Sequence, residues 1–303
     1  MVGTIGINTL CIEKFTLTQN LPNYKAFELI RTMGAEGVDL LEDYMEPHPH
    51  PNLYHLRELK KLIHSYGMFV NSTWFYTDPL RACYVSDRKK VMDDIKEYIA
   101  ITGFLGSHFL MLPPGDPAPG MSDREAQEAF IRFYEELLPV AEEYEVIIGM
   151  EVGRMHSPLS SPKGALQIVK QMKSKYLTVC PDWEAWRIHS GNGIPDYYAE
   201  APDVLRDPAC SVETFIECLE YAPFIHAKVY EYDEERDIDP NYPLAEMLDA
   251  VRNSPYVHHM SMEYEGWTPE IYPDRDPLKV SKQLFDMLNR RLKGGTTQQQ
   301  KNT

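Results

Sequence analysis

The sequence predicts one α/β domain built as a closed barrel of eight parallel strands, each followed by a helix. Three observations carry this. Short β-rich runs alternate with amphipathic helical stretches along nearly the whole 303-residue chain. The strand-like runs number eight, the count at which such parallel strands close into a (β/α)8 barrel. The last four end on residues that can hold a divalent metal, at the edge where these barrels keep their active sites.

In order, the predicted strands are Ile5 to Asn8, Val38 to Glu42, Phe69 to Ser72, His108 to Leu112, Val146 to Glu151, Leu177 to Asp182, Phe224 to Val229 and His259 to Glu263. Between the first two, Ala26, Leu29, Ile30 and Met33 recur at helical spacing and Gly34 follows as a stop, so this connection reads as a crossover helix. Phe130, Phe133, Leu137 and Ala141 form the apolar stripe before the fifth strand, and Phe285, Leu288 and Leu292 form one after the eighth. The barrel is assigned to residues 1–292. Residues 293–303, KGGTTQQQKNT, offer no apolar side chain to pack and read as a flexible C-terminal tail. The segment from Arg187 to Cys210, with Gly191, Gly193, Pro195 and Pro202, has the pattern of a lid or an oligomer contact.

Composition narrows the function. With 43% hydrophobic and 25% charged residues, the chain is an ordinary globular sequence with enough apolar content for one large core. A formal net charge of −16 repels phosphate backbones and argues against a nucleic-acid partner. No stretch approaches the roughly 20 apolar residues of a membrane span, and the start MVGTIGINTL is unlike a secretory leader, so a cytoplasmic protein without a membrane partner is expected. The five cysteines show no CxxC spacing, so neither a disulfide framework nor a thiolate zinc site is expected.

The four strand-end residues are Glu151 in VIIGMEVG, Asp182 in LTVCPDWE, His226 in FIHAKVY and Glu263 in HHMSMEYEGW. Carboxylates with one imidazole suit a single divalent ion, Mn²⁺ first, then Mg²⁺, Co²⁺ or Zn²⁺. Side chains alternate along a strand, so Ile147, Gly149 and Glu151 share one face of the fifth strand, as do Phe224, His226 and Lys228 of the seventh. If that face is the interior, the ligands converge. Any one of these residues alone is more often a helix cap, a solvated carboxylate or a structural histidine; four in register argue for a metal centre.

In these strand endings, in GVDLLE with Glu42 and in the closing phrase SMEYEGW, the chain resembles the xylose-isomerase-like barrel family, from residue 1 to about 290. That family includes sugar and sugar-phosphate isomerases, ketose epimerases, inosose dehydratases and endonuclease-IV-type nucleases. The resemblance implies Glu151, Asp182, His226 and Glu263 as the metal set, with Glu265 the alternative fourth ligand. It also implies an isomerase or epimerase that abstracts a proton next to a carbohydrate carbonyl through a metal-stabilised enediolate, with Glu151 and Glu263 as both ligands and proton carriers. Family members often dimerise, so a homo-oligomer is an expectation of the same kind. One departure is plain: ketose epimerases carry a histidine three residues after the sixth-strand aspartate, and here that position is Ala185. The nuclease branch is rejected, because it needs more metal ligands and a surface that accepts DNA.

Since metal binding weakens a carboxylate as a base, His156 and Lys228 are further candidates, His156 preferred because an imidazole needs little pKa shift near neutrality. All four tryptophans follow predicted strands; Trp74 and Trp267 are expected to wall the pocket, whereas Trp183 and Trp186 equally suit a seal on the barrel top. Arg154 is expected to hold a substrate hydroxyl, carbonyl or carboxylate. With no glycine-rich phosphate cradle, a free sugar or a glycoside is the expected substrate. Two alternatives stand beside the isomerase. One is the lyase subunit of a C-glycoside deglycosidase acting on 3-oxo-glycosides, with His156 as base and a small β-rich partner subunit. The other is a non-catalytic barrel scaffold.

Overall fold

The computed structural model describes residues 1–12, 21–45, 50–77, 79, 88–153, 158–187, 211–240, 242–265 and 276–294. Eight parallel strands form one sheet: β1 (Val2–Asn8), β2 (Gly37–Leu41), β3 (Phe69–Trp74), β4 (Phe109–Leu112), β5 (Ile147–Val152), β6 (Leu177–Pro181), β7 (Phe224–Val229) and β8 (His258–Tyr264). Each predicted run is a strand, and only the ends differ. The largest change is β1, which starts at Val2 because Val2 pairs with His258 of β8, a contact between the two ends of the chain.

A helix follows every strand: α1 (Asn23–Thr32), α2 (Leu53–Ser65), α3 (Arg88–Leu105), α4 (Asp123–Glu143), α5 (Pro162–Met172), α6 (Val212–Leu219), α7 (Leu244–Asn253) and α8 (Pro277–Leu288). Their starts are set locally. Asn52, Ser122, Ser161, Ser211 and Asp276 each accept backbone N–H groups of the first turn, and Ser122 with Glu125 makes a reciprocal capping box. Pro162 and Pro277 begin their helices where a missing N–H costs nothing. Beyond α8 the chain continues in a π-helical turn, Asn289–Lys293, with Leu292 packed against the core. Among the described residues no helix is long and apolar enough to cross a membrane.

The sheet runs β6-β5-β4-β3-β2-β1-β8-β7. Its two edges, β6 and β7, meet without a regular ladder, through the hydrogen bond from Val179 N–H to the Tyr221 carbonyl and the bridge between Asp182 and His226. Two of the four predicted metal ligands therefore sit on the closing seam.

The main core lies between helices and sheet, where Phe130, Phe133, Leu137 and Ala141 are fully buried. A second apolar cluster, Phe109, Met111, Cys180 and Phe224, fills the barrel's lower interior, with the Phe109 and Phe224 rings stacked at 4.7 Å. Gly149 is required beside it: a Cβ there would lie 2.2 Å from Phe109 Cζ. Trp183 and Trp186 are buried, so both seal the barrel rather than face a pocket; Trp186 gives its indole N–H to the Ser211 carbonyl.

Candidate metal centre

Two residues above the phenylalanine plug the interior becomes polar. Glu151 at the end of β5, Asp182 just after β6 and His226 within β7 are all buried, and one ligand atom from each lies within 4.8 Å of the others. Trans ligands of a shared small cation lie about 4.2 Å apart, at about 2.1 Å from the ion each, so this spacing is close to that of a single site. Gly153 permits the approach of β5 and β6, because a Cβ there would meet Asp182 Cβ at 2.8 Å.

The fit of a cation rests on the donor set and on its unpaired atoms. Asp182 Oδ1 accepts the Glu184 N–H at 2.8 Å, whereas the buried Oδ2 makes no hydrogen bond and has only the charge of Lys228 Nζ beside it at 3.1 Å. His226 Nε2 is 2.7 Å from Asp39 Oδ2, while its buried Nδ1 also makes no hydrogen bond. Buried polar atoms that make no hydrogen bond are costly even beside a charge. A divalent ion would satisfy both.

Glu263, on β8, lies beside this trio rather than within it: its Oε2 is 3.1 Å from His226 Nδ1, close enough for charge attraction although the angle makes no hydrogen bond. The same oxygen accepts from Asn8 Nδ2 at 2.9 Å. Glu265 faces a different group. Tyr230 donates to its Oε2 at 2.5 Å, and Lys228 Nζ is 3.2 Å from its Oε1. Of the two glutamates, Glu263 is the one set against the histidine.

Lys228 is 2% exposed and has four carboxylates around its ammonium: Glu263 at 2.8 Å, Asp182 at 3.1 Å, Glu265 at 3.2 Å and Glu184 at 3.3 Å. Burial alone would lower its pKa, but these charges outweigh burial and hold it well above the ordinary lysine range. Burial pushes Asp182 up to about 7, only partly offset by Lys228. Glu263 goes the other way: burial opposes its charge, yet Lys228 and His226 hold it below the usual carboxylate range. For His226, burial is likewise outweighed by Asp39 and Glu263, which favour the charged ring.

The half-buried Trp74, at the end of β3, donates its indole N–H to Glu151 Oε2 at 3.3 Å and packs against Tyr76, so it borders the site. Arg154, His156 and Trp267 lie outside the described residues. Ala185, where ketose epimerases carry histidine, is in the short 3-10 turn Trp183–Trp186. Sequence reading missed Asn8, Asp39 and Ser72. All three are buried, and Asp39 receives Asn8 Nδ2 at 3.0 Å on Oδ2 and the Ser72 hydroxyl on Oδ1. The available signal was an acid in the middle of the apolar run GVDLL.

Fold and site together define a parallel (β/α)8 barrel with a carboxylate and imidazole cluster at the C-terminal ends of its strands. The chain belongs to the xylose isomerase-like TIM barrel family, whose model matches residues 27–290. Solved structures share the architecture at low identity. A D-psicose 3-epimerase from Clostridium cellulolyticum H10, with D-tagatose, is 16% identical with a TM-score of 0.69, over 96% of this chain and 99% of that one. The 3-keto-D-glucoside 4-epimerase YcjR of E. coli, in its apo form, is 12% identical with a TM-score of 0.66, over 94% and 98%. A xylose isomerase-like barrel protein from Mycobacterium smegmatis, in complex with magnesium, is 14% identical with a TM-score of 0.63, over 95% and 97%. No curated protein matches the sequence.

Proposed function

We propose that this protein is a divalent-metal-dependent sugar epimerase or isomerase acting on a free ketose or a keto-sugar. The observation that carries the reading is the convergence of Glu151, Asp182 and His226, with two of their buried polar atoms lacking a hydrogen-bond partner. Structural neighbours that are a ketose epimerase and a keto-glucoside epimerase support the substrate class. Glu151, Asp182 and His226 would hold the ion, with Glu263 as fourth ligand. When bound, the ion polarises a sugar carbonyl and acidifies the neighbouring C–H.

The chain's own residues then divide the work. Glu151 and Glu263 stand on strands β5 and β8 and are assigned the proton transfers on the two faces of the sugar. Lys228, ringed by four carboxylates, is assigned the role of a fixed positive charge and hydrogen-bond donor rather than of a base. Trp74 forms one wall and steadies Glu151 through its N–H. His156 remains the candidate for a separate base, Arg154 and Trp267 for substrate contacts. Mn²⁺ is the first metal to test, with Mg²⁺ next because a neighbour binds it.

The test is metal content followed by turnover. Wild-type protein should carry about one divalent ion per chain and lose it in Asp182→Asn, while Glu151→Gln should cut epimerisation of ketoses or 3-keto-sugars by at least 100-fold. Elemental mass spectrometry and NMR detection of solvent-deuterium uptake into the sugar read these outcomes. Elimination of an aglycone from 3-oxo-glycosides, without exchange into free ketoses, would replace this reading with the lyase. A protein with neither metal nor turnover would be a scaffold.

A further inference from the structure

The polar interior has a half that no sequence motif announces. Asn8, Asp39 and Ser72 come from β1, β2 and β3, across the barrel from the seam where Asp182 and His226 meet. Their arrangement is directional. Leu10 N–H donates to Asn8 Oδ1 at 2.8 Å, which fixes the amide so that Nδ2 points to carboxylates. That Nδ2 lies 3.0 Å from Asp39 Oδ2 and 2.9 Å from Glu263 Oε2, tying the two acids together. Ser72 donates to the other Asp39 oxygen. Both Asp39 oxygens already act as acceptors, Oδ2 from Asn8 and Oδ1 from Ser72, so at the 2.7 Å contact Oδ2 also takes the Nε2–H of His226. The remaining ring nitrogen, Nδ1, is buried, makes no hydrogen bond and faces Glu263 Oε2 at 3.1 Å.

We propose that Asp39, seated by Asn8 and Ser72, is a positioning residue of the metal centre: it binds the Nε2–H of His226 so that Nδ1 is the ligating atom, while Asn8 sets Glu263 beside it. A carboxylate behind a ligating imidazole fixes its tautomer and raises its basicity, and loss of such a partner weakens metal binding about 10- to 100-fold. The inference rests on the metal reading of the site above, and the experiment separates the two.

Two measurements test it. In wild-type protein labelled with ¹⁵N-histidine and loaded with Zn²⁺, long-range ¹H–¹⁵N spectra should show His226 protonated at Nε2 and metal-bound at Nδ1; the reverse tautomer would overturn the proposal without any variant. In Asp39→Asn, which keeps the side chain's size, the Kd for Mn²⁺ measured by calorimetry should rise about 10- to 100-fold, with circular dichroism confirming the fold. An unchanged Kd in a folded variant overturns the role of Asp39 and leaves the metal centre standing. Failure of the wild type to bind Mn²⁺ or Zn²⁺ overturns the metal reading itself, and this inference with it.

Discussion

The two ends of the barrel interior are built by the same strands and are chemically opposite. In β7, Phe224 stacks on Phe109 at the bottom, His226 lies next and Lys228 reaches the top among four carboxylates. In β5, Gly149 makes room for Phe109 and Glu151 two residues later joins Asp182 and His226 in the candidate metal site. Side chains on one face of a strand are about 6.6 Å apart, so a dry plug and a charged site are separated by little more than one layer. The lower layer holds the barrel together by packing. The upper layer costs stability unless its charges are matched, and among the described residues it has one buried ammonium, Lys228, among its acids, leaving a deficit that a divalent cation would fill.

The largest expected effect comes from removing that ammonium. Lys228→Met in metal-stripped protein should lose about 3–5 kcal/mol in urea denaturation, the usual cost of leaving a buried ion cluster without a partner, and added Mn²⁺ should restore part of it. Equal stability with and without Lys228 would mean that the upper layer is wetter than its burial implies. The lower layer is broken differently. Gly149→Ala drives a methyl group into Phe109, and overpacking of this kind costs about 1–3 kcal/mol. Its expected signature is a lower denaturation midpoint with metal stoichiometry unchanged; a loss of bound metal at equal stability would show that the two layers are not separable.

The smallest effect concerns His258, near the entrance to β8 and remote from the site. Its ring is held by the Ala222 carbonyl at Nδ1 and the Ser254 hydroxyl at Nε2, each at 2.7 Å. Burial lowers its pKa below the ordinary 6.5 despite the Ala222 contact. The unfolded chain then takes up the proton first on acidification. Stability should be indifferent to this group above about pH 6.5 and fall below it, by less than the roughly 1.4 kcal/mol per pH unit of a full proton. His258→Gln should flatten that slope in thermal melts between pH 5 and 7.

Much of the barrel was legible because its signals are local. Eight apolar runs, the stripe of Phe130, Phe133, Leu137 and Ala141, and caps such as Ser122 with Glu125 depend on neighbours within a turn or two. Alternation placed His226 and Lys228 on one face, as found. It could not say what they would face. Reading Lys228 as a base needs an environment that depresses its pKa, and the four acids around it come from β8, the residue after it and the turn that follows β6. Trp183 and Trp186, equally placed by sequence for pocket or seal, are buried in the core, whereas Trp74 reaches Glu151.

By itself, then, the sequence determined the architecture and the strands that carry Glu151, Asp182, His226 and Glu263 in or just past them, because periodicity and strand termini are properties of a short window. Only the tertiary structure decided that Asp39 stands behind His226, that Asn8 joins Asp39 to Glu263, and that Glu263 rather than Glu265 is set against the imidazole. These contacts cross the barrel between residues as much as 255 positions apart. Their pairing is set by how eight strands tilt and register on closure, and no local pattern in the chain encodes it.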